Sequence, residues 1–160
     1  MSEDGTAEGT AEEVTLGRIE TEVALLMRLG EATRRATGTA EHRVLDRAAY
    51  VILRHLAAAG PQNVSALAAR LNLDGSTVTR QVSAMQRDGL IARAPDPSDG
   101  RGTVVSPTPA GLQRMAAVRA ARTRLYGDVL ADWAPADRDT LADLLRRLNE
   151  ALETRARTRR

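Results

Sequence analysis

Residues 74–89 read DGSTVTRQVSAMQRDG, and the fold turns on them. Asp74 is placed to cap a helix, its carboxylate accepting backbone N–H groups left unpaired in the first turn. Gly89 is placed to end that helix in the left-handed conformation, with apolar Leu90 just behind it. Val78, Val82 and Met85 fall at i, i+4 and i+7, one face of a 3.6-residue period. At about 100° per residue the opposite face carries Ser76, Arg80, Ser83 and Arg87. Thr79 flanks this stripe on one side, Thr77 and Ala84 on the other. Short side chains let a helix approach a surface closely, and guanidinium forks pair with phosphates or guanine edges. Taken alone, the stretch fits an ordinary amphipathic helix with a solvated polar face better than it fits a binding element.

The neighbouring segments change that balance. Upstream, residues 66–71 form a short helix with Ser65 as its expected N-cap and Leu67, Ala68 and Leu71 on its inner face. The link Asn72-Leu73-Asp74 is short, so the two helices make a helix-turn-helix. Downstream, residues 90–94 and 103–106 read as strands around a turn-rich loop, 95–102, that contains Asp99-Gly100. This is a β-hairpin, or wing, directly behind the helix-turn-helix. Thr108 then caps a helix with Pro109 at its first position, running to about Asp132. Pro135 restarts a last helix with Leu141, Leu144, Leu145, Leu148 and Leu152 on one stripe.

On the N-terminal side, residues 41–59 are so apolar that a central, buried helix is expected, ending at Gly60-Pro61. Before it, Leu16, Ile19, Val23 and Leu26 repeat in a heptad-like seam over 14–37, widened by Met27 and Leu29. Residues 1–13 are Gly/Thr-rich and acidic and are expected to be a disordered tail. The fold class is mainly α with a small β-hairpin. One domain over 14–160 is expected: a winged helix-turn-helix at 41–107, flanked by dimerisation helices at 14–40 and 108–157. The apolar surplus on those end helices points to a homodimer.

Composition narrows the class further. The 160 residues are 42% hydrophobic and 28% charged, as in globular chains. No apolar run reaches the roughly 18–20 residues of a membrane span, and no signal-type core opens the chain. A cytoplasmic protein is expected. Cysteine is absent, which removes disulfides and thiolate metal sites. All 23 basic residues are arginine, which GC-rich codon usage explains without any functional role. Residues 1–13 carry five acidic groups and no basic ones; with a net charge of +2 overall, the remainder carries +7. A basic body suits an anionic partner.

Five pieces in order resemble the MarR (multiple antibiotic resistance regulator) family of bacterial transcription regulators. They are Val64-Ser65-Ala66-Leu67-Ala68, Ser76-Thr77-Val78-Thr79-Arg80, Gly89-Leu90-Ile91-x-Arg93, Asp96-Pro97-x-Asp99-x-Arg101 and Thr108-x-x-Gly111, within residues 45–111. The resemblance implies an obligate homodimer with interlocking end helices, a recognition helix in the major groove of double-stranded DNA and a wing at the minor groove. It places Ser76, Thr77, Thr79 and Arg80 toward DNA, makes Arg101 the wing-tip arginine and Asp99 its stabilising partner. A narrow minor groove concentrates negative potential, which attracts such an arginine. With Ser65, Ser83 and Arg87 these residues form the expected DNA-binding set. Two positions depart from the family pattern. Gly102 replaces a basic or polar residue, and Pro107 should end its strand early by removing a backbone donor. Segment 61–107 holds five arginines against four acidic residues, so binding should depend on dimerisation and on salt.

An enzyme is not expected. No nucleophilic cysteine, phosphate-cradling glycine loop or HExxH pair occurs, and His42 and His55 stand 13 residues apart, too far along one helix to chelate a metal alone. No cofactor or metal is expected. The family's small aromatic or anionic effectors make a ligand-responsive repressor the expected function, with Arg28, Tyr50, Arg54 and Tyr126 available to line a cleft. The rival function is a winged-helix module for protein contacts without specific DNA binding, which would favour an apolar exposed patch over an arginine-and-hydroxyl stripe.

Overall fold

The computed structural model describes residues 4–36, 45–97 and 102–158. They fall into two compact units, residues 1–43 and 44–160. Among the described residues the first holds one helix, α1 (Asp4–Ala36). It begins inside the segment 1–13 that was expected to be a tail. Alanine and glutamate favour helix, and acidic side chains near an N-terminus are stabilised by the helix dipole. The stretch 14–160, expected as one domain, spans the boundary between the two units. Leu16, Ile19, Leu26, Met27 and Leu29 are all exposed on α1.

The second unit begins with α2 (Arg47–Ala59). The expected start at residue 41 is not met: Asp46 is extended, at φ −68° and ψ 169°, and its side chain caps the helix instead. The expected break at Thr37–Thr39 lies outside the described residues. Nor is α2 buried all round. Ala49, Ile52, Leu53 and Leu56 are buried on one face, while Val51 is 42% exposed. The sequence suggested an all-apolar helix because alanine, which tolerates either environment, supplies much of its surface.

Next come β1 (Gln62–Asn63), α3 (Val64–Leu71), α4 (Gly75–Arg87), β2 (Ile91–Pro95), β3 (Thr103–Pro107), α5 (Pro109–Val129) and α6 (Pro135–Thr158). The strands form one antiparallel sheet in the order β1-β3-β2. Register places Ile91 opposite Pro107, Arg93 opposite Val105 and Pro95 opposite Thr103. Pro107 does not shorten the strand as expected; it is the last residue of β3, where its missing donor affects only the final rung. The extra strand β1 is two residues long, too short to show alternation in sequence.

The core draws on the helices of the winged region and on strands β2 and β3. Leu53 and Leu56 of α2 meet Leu67 of α3, Val78, Val82 and Met85 of α4, and Ile91 and Val105 of the sheet, all 2% exposed or less. From α5, Val118 completes it. No α6 residue is buried, and Leu144 and Leu152 are more than half exposed. The end helices thus display the apolar surplus that the sequence carried.

Candidate nucleic-acid interface

The turn between α3 and α4 is built from hydrogen bonds. Asn72 adopts the left-handed conformation at φ 53°. Its N–H donates to the Ala69 carbonyl at 3.3 Å, and the Leu73 N–H donates to the Ala68 carbonyl at 3.0 Å. Asparagine is the residue other than glycine that most often serves this way. Asp74 then opens α4, its carboxylate accepting the Ser76 N–H at 3.0 Å and the Thr77 N–H at 2.8 Å. Hydrogen bonding by the Thr77 side chain, then by these two amides, holds the Asp74 carboxyl well below the usual carboxylate range.

The far end of α4 closes with two paired bonds. Gly89, at φ +69°, donates to the Gln86 carbonyl at 3.0 Å, and Leu90 donates to the Met85 carbonyl at 2.8 Å. Leu90 and Met85 are both buried, the apolar contact that accompanies this cap. Thr108 fastens the next helix to it. Its hydroxyl donates to the Gly89 carbonyl at 2.6 Å and accepts the Gly111 N–H at 3.0 Å, while its own N–H donates to the Leu90 carbonyl at 3.0 Å. A side chain at Gly111 would overlap that Leu90 carbonyl. The spacing Thr108-x-x-Gly111 is therefore a joint between α4 and α5.

With both ends fixed and Val78, Val82 and Met85 buried, α4 turns its other face outward. Ser76, Thr77, Thr79, Arg80, Ser83 and Arg87 are all exposed, and the structure brings these six onto one helix surface. Neither Arg80 nor Arg87 pairs with a carboxylate among the described residues, where the ion pairs lie along α6: Arg146 with Asp143 and Glu150, and Arg157 with Glu153. Ser65 is exposed in the first turn of α3 but does not cap it. The cap is Asn63, whose Oδ1 accepts the Ala66 N–H at 2.7 Å. Asparagine caps as well as serine does, and β1 ends at Asn63, so the helix starts two residues sooner. Asp99 and Arg101 lie outside the described residues.

Arg70 and Gln81 were not singled out from the sequence, whereas Arg93 stood in one of the five family-like pieces and His55 was weighed only as a metal ligand. Arg70 lies in the last turn of α3 and Arg93 is exposed on β2. Gln81, on the side of α4, donates from Nε2 to Asp46. His55 Nε2 stands 3.1 Å from Gln62 Oε1, joining α2 to β1 in a structural role. Of the cleft candidates, Tyr50 carries the Arg122 guanidinium 4.5 Å from its ring centroid, and Tyr126 is 58% exposed. Local sequence could not show that pairing, which joins α2 to α5.

A helix pair closed by a left-handed turn, a three-stranded wing and an exposed arginine-and-hydroxyl stripe define a winged helix-turn-helix DNA-binding protein. Residues 45–103 match the MarR family. YxaD of Bacillus subtilis (strain 168), described as an uncharacterized HTH-type transcriptional regulator, is 37% identical over 107 residues, 67% of this chain and 75% of that protein. The PcaV transcriptional regulator from Streptomyces coelicolor, solved in complex with its natural ligand, is 28% identical with a TM-score of 0.62, covering 80% of this chain and 91% of that one. A MarR protein from Peptoclostridium difficile shares the fold at 18% identity and a TM-score of 0.70, over 89% and 92% of the two chains. The chain belongs to the MarR family and is a DNA-binding transcriptional regulator. Among the described residues no helix is long and apolar enough to cross a membrane.

Proposed function

We propose that this regulator is a cytoplasmic homodimer that represses transcription from an inverted-repeat operator and leaves it when a small aromatic or anionic ligand binds. The outward face of α4 carries the proposal: six exposed hydroxyl and guanidinium side chains, with Arg80 and Arg87 unpaired to any described carboxylate. A helix of this kind fits the major groove, where arginine forks meet guanine edges and phosphates. Ser65 lies toward the flanking backbone, and Arg101, steadied by Asp99, reaches the minor groove. The exposed apolar residues of α1 and α6 support pairing with a second copy. PcaV was solved with a natural ligand, which supports an effector here, and the Tyr50–Arg122 pair offers an aromatic face and a cation to such a molecule.

Gel-shift titration against genomic fragments, followed by footprinting of the tightest, tests this function. Two protected half-sites centred about one helical turn apart, ~34–36 Å, are expected from two-fold symmetry. Protection of one asymmetric half-site at saturation would overturn the inverted repeat. Binding of equal strength to every fragment would favour the protein-contact module instead.

A further inference from the structure

Hydroxyl groups on a recognition helix are usually taken as hydrogen-bond donors to phosphate or base. Three of those on α4 have their proton directed elsewhere, Thr77 among them through its bond to the Asp74 carboxylate. The Thr79 hydroxyl donates to the Gly75 carbonyl at 2.8 Å. A carbonyl has no proton to give, so the threonine is the donor, and a hydroxyl has only one. Ser76 donates in the same way to Asp74 Oδ2 at 3.1 Å, and a carboxylate in neutral solution is acceptor-only. Toward the outside each hydroxyl therefore offers lone pairs. In Thr79, with Oγ1 turned back onto the preceding turn, the γ-methyl is the group left facing outward from an exposed position.

The major groove presents one apolar group, the 5-methyl of thymine. We propose that Thr79 is a specificity-determining residue that reads thymine through methyl-to-methyl contact, not through its hydroxyl. This rests on the placement of α4 in the major groove proposed above. Donor contacts to bases then fall to the arginines of the same face, with Arg80 nearest in sequence. A regulator so built selects half-sites in which a thymine lies next to the base pair read by Arg80.

Deoxyuridine in place of thymidine tests the idea, because it removes the methyl group and leaves base pairing intact. Each thymine of the footprinted operator is exchanged singly, in both half-sites together. Wild-type protein should show one symmetric position where the exchange weakens binding about fourfold per half-site, the size expected of one buried methyl group. Thr79→Ser should bind the unmodified operator as weakly as wild type binds the exchanged one, and should be indifferent to uracil at that position. Thr79→Val, which keeps a methyl and drops the hydroxyl, should retain both affinity and uracil sensitivity. Thr79 is exposed, so both variants keep the core. Full uracil sensitivity in Thr79→Ser, or a loss in Thr79→Val matching that in Thr79→Ser, overturns the inference. Arg80→Ala is run alongside. If it relaxes base preference while Thr79→Ser does not, only the methyl contact fails. If neither variant alters base preference, the docking of α4 fails with it.

Discussion

Gln81 on the recognition helix donates from Nε2 to both carboxylate oxygens of Asp46, at 3.1 and 3.3 Å. The same carboxylate accepts the Ala49 N–H at 2.7 Å and so caps α2. One aspartate closes the start of α2 and fastens the side of α4. Asp46→Ala removes both bonds and should cost about 1–2 kcal/mol, whereas Gln81→Ala removes one and should cost about 0.5–1 kcal/mol. The double variant should lose less than the sum of the two. Urea unfolding of the four proteins measures this, and strict additivity would show that the two side chains act independently.

Asp74 makes stability depend on acid. Its folded-state pKa lies below the unfolded value, held there by the Thr77 side chain and by the Ser76 and Thr77 amides. The stabilisation is therefore complete above the ordinary carboxylate range and is lost as pH falls through the folded value. Asp74→Ala should unfold at lower urea than wild type at pH 7, and the gap should narrow as pH falls below about 4. A gap that widens in acid would contradict the cap.

Gly111→Ala places a methyl group against the Leu90 carbonyl and should destabilise by about 1–3 kcal/mol through forced backbone displacement. Gly75→Ala, with nothing within 4 Å of the new carbon, is the control and should be near neutral. Thermal unfolding of both variants checks the contrast.

Arg80 and Arg101 should fail differently. Arg80→Ala should cost about 1–3 kcal/mol of specific binding and relax preference at one symmetric base position. Arg101→Ala should weaken binding, lower the salt slope and spare the half-site preference. Isotherms across salt, on operators altered in the half-site or in the flanking minor groove, separate the two. Altered half-site preference in Arg101→Ala, with Arg80→Ala unchanged, would reverse the docking.

Deleting residues 1–40 removes the whole of α1 with its exposed leucines. The shortened chain should lose both dimerisation and specific DNA binding. Analytical ultracentrifugation at micromolar concentration reads the first directly, and a truncated protein that stays dimeric would assign the interface elsewhere.

The winged region was legible because its signals are local. Asp74, Gly89 and the Thr108-Pro109 pair mark helix ends by chemistry that acts within one turn, and each takes the place expected of it. What escaped was long-range or ambiguous. Asn63 and Ser65 are both good caps two residues apart, and only the pairing of Asn63 with Val104 fixes which is used. Likewise Asp46 was hidden inside an apolar run until its extended backbone set the start of α2. Of the site, the stripe on α4 could be read from its period. The partners of its hydroxyls could not, since a threonine's rotamer is not written in its spacing.

The Thr108 joint has a mechanical consequence. At 21 residues α5 is about 30 Å long, and α4 at 13 residues about 20 Å. Coupled through the two hydrogen bonds that Thr108 donates to Gly89 and Leu90, they form a bell-crank with unequal arms. If the far end of α5 moves 3 Å or so, the joint turns by about 6°, and the tip of α4 swings by about 2 Å. A hydrogen bond to a base edge tolerates less than that. The long arm reduces the movement but multiplies the force, so in the proposed docking a small push far from the groove is enough to move α4 out of register.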